Sequence, residues 1–66
     1  MKFDIKITKL PSGDYRFKAL SDAAKRRFDI AGLGNWTNID KDSYNNMLAW
    51  SISHNFRSIT TEAQEL

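Results

Sequence analysis

The chain has 66 residues, 41% of them apolar and 27% charged, with no Cys, one His and a net charge of +2. A chain of this length buries only about 60% of its unfolded surface, so residues 1–66 are expected to form one small domain with a marginal core, and a second core is excluded. Disulfide and metal staples are not expected, which leaves tight packing of eight aromatic residues, or burial of some of them in a homodimer or against an obligate partner.

In Lys2-Phe3-Asp4-Ile5-Lys6-Ile7-Thr8 every second residue is apolar, the period of a strand with one wet face. Pro11-Ser12-Gly13-Asp14 is predicted to be a hairpin turn, because Pro presets φ and Gly accepts a positive φ without steric cost. Alternation resumes through Asp14 to Ala19, with Tyr15, Phe17 and Ala19 expected inward. Ser21 occupies an N-cap position, Asp22 suits a first helical turn, and Ala23 to Phe28 are mostly good helix formers. Ala24 and Phe28 share the buried face of that helix, which leaves Lys25 and Arg26 exposed. Gly32 and Gly34 supply left-handed caps, and residues 32–42 are expected to be a polar connection around Trp36.

Asp40 or Asp42 is predicted to cap a second helix running to about His54, with Asn55 in a left-handed C-cap. Its wide apolar arc is centred on Leu48, flanked by Tyr44 and Ile52, with Trp50 at the far edge beside Asn46 and Ser53. Phe56 to Thr61 is rich in β-branched and aromatic residues and is expected to return as a third strand, whereas residues 61–66 lack a pattern and are expected to fray. The expected fold class is α+β: an N-terminal β-hairpin, with or without the third strand (ββααβ or ββαα), forming an antiparallel sheet packed against two helices.

No apolar stretch approaches the roughly 20 residues that span a bilayer, and the N-terminus lacks a signal-peptide core, so a cytoplasmic location and no membrane partner are expected. The sequon Asn35-Trp36-Thr37 then has no consequence. Enzymatic groups are sparse. His54 has neither an identifiable orienting carboxylate nor a nucleophile, and its place at a helix end suits a dipole-complementing role; no catalytic residues and no cofactor are expected. Asn38, Asp40 and Asp42 alternate as at the start of a calcium loop, but Ser43 and Ala49 stand where that loop needs Gly and Glu, so capping explains them better and no metal is expected. Gly32-Leu33-Gly34 lacks both the preceding apolar strand and the following Lys of a phosphate loop.

Charge is unevenly distributed: residues 1–27 carry +5 and residues 28–66 carry −3. If the hairpin's apolar residues face a core, its other face presents Lys2, Lys6, Arg16 and Lys18, interrupted by Asp4, with Lys25, Arg26 and Arg27 as an extension. Such a ribbon suits contact with successive phosphates, which makes nucleic acid one partner class. Lys-rich wet faces also discourage edge pairing, and no aromatic residue is expected on this face to stack on bases. The competing signal is aromatic: Trp36 in its polar loop and Trp50 at the helix rim, with Asn46 and Ser53, form the expected protein-binding set, since Trp is enriched at binding hot spots.

No stretch carries a family signature. In size, lack of Cys and plain layout the chain resembles the small accessory proteins of phages and mobile elements, a resemblance that implies stoichiometric blocking of a host complex. The expected function is therefore non-enzymatic binding: a small regulator or inhibitor of a protein first, and a nucleic-acid-binding domain second, since +2 is a small excess for a duplex binder.

Overall fold

The computed structural model describes residues 2–63. Element order is β1 (Ile5–Lys9), β2 (Tyr15–Ala19), α1 (Asp22–Ile30), β3 (Trp36–Ile39), a 3-10 turn (Lys41–Ser43), α2 (Tyr44–Ser53) and β4 (Ser58–Glu62). The strands form one sheet in the order β3-β2-β1-β4, and both helices cover one face, so the chain is an α+β domain.

The hairpin follows the predicted alternation. β1 and β2 are antiparallel, with Ile5 opposite Ala19, Ile7 opposite Phe17 and Lys9 opposite Tyr15. Gly13, at φ 95°, donates to the Leu10 carbonyl at 3.0 Å and closes the turn. Ser21 caps α1 by accepting from the Ala24 N–H at 3.1 Å. The helix ends in a Schellman arrangement: Gly32, at φ 77°, donates to the Asp29 carbonyl and Leu33 to that of Phe28. Asn55, at φ 60°, plays the same part after α2, where Phe56 donates to the Ser51 carbonyl at 3.1 Å.

Three expectations require correction. First, the 32–42 connection contains a fourth strand, β3, which pairs antiparallel with β2 through Tyr15 opposite Ile39 and Lys18 opposite Trp36. Second, the returning strand β4 runs parallel to β1, so the sheet is mixed. A helical crossover is what joins parallel strands, and α2 carries the chain across the covered face from one sheet edge to the other. Third, Thr61 and Glu62 belong to β4, and Ala63 donates to the Lys9 carbonyl at 2.9 Å; of the segment expected to fray, residues 64–66 lie outside the described residues.

The core consists of Ile5, Ile7, Phe17, Ala19, Ala24 and Phe28, with Tyr15, Leu33, Ile39, Tyr44, Met47, Leu48, Trp50 and Phe56 packed around it. Phe3, expected inward, precedes β1 and is exposed. α2 is rotated from its expected orientation: Ser51 is buried at the centre of the contact, whereas Ile52 is 64% exposed. This rotation brings both large aromatic residues of the helix inward, Tyr44 stacked on Tyr15 at 4.0 Å and Trp50 against Phe28 at 5.8 Å. Two aromatic rings bury more area than one Ile, and small Ser51, donating to the Met47 carbonyl at 3.0 Å, lets the backbone approach without an unpaired hydroxyl.

Asp4 ties three elements together. Its carboxylate accepts from the Arg57 N–H at 2.9 Å and from the Ser21 hydroxyl, while its carbonyl accepts from Leu20 at 2.7 Å. The Ser21 bond, then the Arg57 backbone bond, holds the carboxyl below its ordinary value of 3.8. A lowered folded-state value means stability that is fully present above the unfolded value and lost as pH falls through the folded one. Asp4→Asn is therefore expected to lower the unfolding midpoint at neutral pH and to flatten its decline below about pH 4, as measured by thermal denaturation across pH. An unchanged acid limb in the variant would assign that decline to other carboxylates.

Candidate functional site

Strand alternation puts the even-numbered residues of β1 and β2 on the sheet face that no helix covers. One row across this face runs Trp36, Lys18, Lys6, Ile59, and the next runs Asn38, Arg16, Thr8, Thr61. Strand spacing of about 4.8 Å makes each row about 14 Å wide.

Trp36 is 51% exposed on this face. The Arg16 guanidinium lies over its ring, 4.7 Å from the centroid, and Arg16 Nε donates to Asn38 Oδ1 at 3.1 Å. Two partners therefore fix the guanidinium over the exposed indole, the ring face by cation–π attraction and Asn38 by a hydrogen bond. Lys6 and Lys18 stand directly opposite one another on neighbouring strands, both exposed. Like charges in that position repel, and nothing acidic stands in either row to offset them.

The two sets of candidate residues are redistributed by the fold. Lys6, Arg16 and Lys18 share the open face as expected, and Lys2 lies exposed in the segment preceding β1. Lys25 and Arg26 belong to α1 in the covering layer, so they do not extend the ribbon. Trp36 joins the basic residues, contrary to the expectation that their face lacks an aromatic ring. Trp36 stands on β3, apart from Trp50, Asn46 and Ser53 on α2. Trp50 is half-buried against Phe28, His54 and Phe56 in the helical layer. Asn46 is exposed on α2, and the Ser53 hydroxyl donates to the Trp50 carbonyl at 2.7 Å.

Asn38, Ile59, Thr8 and Thr61 also stand on the open face. The strand signal for Asn38 is visible in Trp36-Thr37-Asn38-Ile39, a short run of aromatic and β-branched types between turn residues. The oxygen-bearing residues of the calcium-like segment disperse: Asn38 accepts from Arg16, and Asp40 caps the 3-10 turn by accepting from the Ser43 N–H at 2.8 Å. His54 closes α2, its ring 4.8 Å from Trp50 and stacked on Phe56 at 5.6 Å. No helix is long and apolar enough to cross a membrane among the described residues.

Neither a family model, nor a curated protein, nor a solved structure matches this chain.

Proposed function

We propose that the chain is a non-enzymatic binding module for single-stranded nucleic acid, using the open face of its sheet. The observation that carries this reading is where the charges stand. Lysines that protect a sheet from aggregation belong on its edge strands. Here Lys6 and Lys18 lie on the two central strands, β1 and β2, while the edge strands present uncharged Trp36, Asn38, Ile59 and Thr61. A repulsive central pair beside an exposed indole is a local cost to folding, and such costs concentrate where function requires them. A polyanion offsets it: phosphates between Lys6 and Lys18, a base stacked against Trp36 or the Arg16 plane, and Asn38 and Thr8 within reach of base or sugar. A flat sheet face with no projecting element suits a single strand better than a duplex groove.

The test is a titration with labelled oligothymidylate, oligouridylate and a duplex. With three phosphate contacts, single-strand affinity is expected to fall about 20-fold between 50 and 200 mM salt. Lys6→Glu combined with Arg16→Glu is expected to weaken binding across all sequences and to flatten the salt dependence to a slope near −1 or less. Stronger binding to the duplex, or the same salt slope in the variant, would remove the sheet face from the reading.

A protein partner is the second reading, and one observation favours it: Trp36 and Arg16, both of hot-spot type, are packed together on an exposed face. A small regulator or inhibitor of a host complex would then engage through the same surface. Failure of every nucleic acid to bind, with Trp36→Ala abolishing capture of a protein, would establish it.

A further inference from the structure

A second cluster of cationic groups lies away from the open sheet face. A cavity of about 260 Å³ opens between α1 and the turn after α2, lined by Ala23, Arg26, Arg27, His54 and Phe56. We propose that this cleft binds the phosphate of a phosphomonoester, independently of the sheet face. Two of its five lining residues are arginines, His54 adds an imidazole, and none is acidic, although Asp22 and Asp29 occupy the same helix. Arg26 and Arg27 project from a capped helix, so their guanidinium forks start from a rigid backbone, the geometry that suits multidentate recognition of phosphate oxygens.

His54 is held in place before any ligand arrives. Its ring meets the edge of Trp50 at 4.8 Å, at 67°, and stacks on Phe56 at 5.6 Å, at 27°. The left-handed Asn55 turns the chain so that Phe56 folds back beside the helix end. Such preorganisation lowers the ordering cost of binding. At about 260 Å³ the open cleft accommodates the phosphate group itself, with whatever carries it lying outside. The phosphate can belong to a free mononucleotide or to the terminus of an oligonucleotide, and recognition of the dianion is common to both.

The experiment follows the His54 and Phe56 ring resonances by NMR while orthophosphate, adenosine monophosphate, and thymidine oligomers with 5′-phosphate or 5′-hydroxyl ends are titrated, with chloride matching the ionic strength. Saturable shifts with orthophosphate and the mononucleotide, absent with chloride, are expected. Arg26→Gln with Arg27→Gln is expected to weaken binding about tenfold or more, as loss of charge-assisted hydrogen bonds does, with the amide spectrum otherwise retained. Tighter binding of the 5′-phosphate oligomer than of the mononucleotide assigns the phosphate to a strand end; equal binding assigns it to the small molecule. Shifts reproduced by chloride, or unchanged in the double variant, overturn the proposal. Trp36→Ala is expected to leave these shifts unaltered, so failure at the sheet face and failure at the cleft are read separately.

Discussion

Trp36→Ala is expected to weaken single-strand binding by about fivefold to 150-fold, the loss corresponding to one base stack at roughly 1–3 kcal/mol. The same substitution is expected to leave the thermal midpoint almost unchanged, because the ring is half exposed at a sheet edge and its contact with Arg16 contributes only about 0.5–1 kcal/mol. Trp36→Phe is expected to recover part of the affinity, since a smaller ring still offers a stacking face. Fluorescence titration supplies a parallel readout: ligand-dependent quenching is expected in the wild type and is expected to disappear in Trp36→Ala, where Trp50 is the remaining emitter. Affinity that survives in Trp36→Ala would make the sheet face an electrostatic surface without a stacking role.

Phe28→Ala is expected to act in the opposite sense, on the fold. Phe28 is fully buried and meets Trp50 at 5.8 Å, joining α1 to the aromatic group of Trp50, His54 and Phe56. A buried Phe→Ala change costs about 3–5 kcal/mol. At roughly 0.05–0.15 kcal/mol per residue, a chain of this length holds only about 3–10 kcal/mol in total. The variant is therefore expected to lose about 15 °C or more in its midpoint, or to be largely unfolded at 25 °C, as read by circular dichroism and thermal melts. Trp50→Ala is expected to follow it in direction, because the indole joins the same aromatic group and packs on the core. The contrast between the two tryptophans separates surface from core in one pair of melts. A stable, folded Trp50→Ala protein would return Trp50 to the set of exposed binding residues.

How legible the candidate site was depended on the range of the interactions that build it. Period-two alternation is enough to place Lys6, Arg16 and Lys18 on one face of the hairpin, because it is a property of neighbouring residues. Trp36 was misread because β3 has only four residues, two of them polar, set between Gly34-Asn35 and Asp40-Lys41. Its signal is short beside its turn-rich flanks, and it becomes a strand through pairing with β2. Lys25 and Arg26 stand on the other side of the sheet from the ribbon, a separation that no short window of sequence contains.

Local chemistry sets the alternating hairpin and its Gly13 turn, the Ser21 cap, the Gly32 and Asn55 helix ends, and the Ala24 and Phe28 stripe. Each of these depends on the intrinsic φ preference or side-chain chemistry of a few neighbouring residues, so it can be read from a short window. The parallel pairing of β4 with β1, the rotation of α2 that buries Ser51 and exposes Ile52, and the meeting of Trp36 with Arg16 arise from long-range packing. These depend on which elements become neighbours, and competition for buried area among distant aromatic residues settles that choice, with Tyr15 taking Tyr44 and Phe28 taking Trp50.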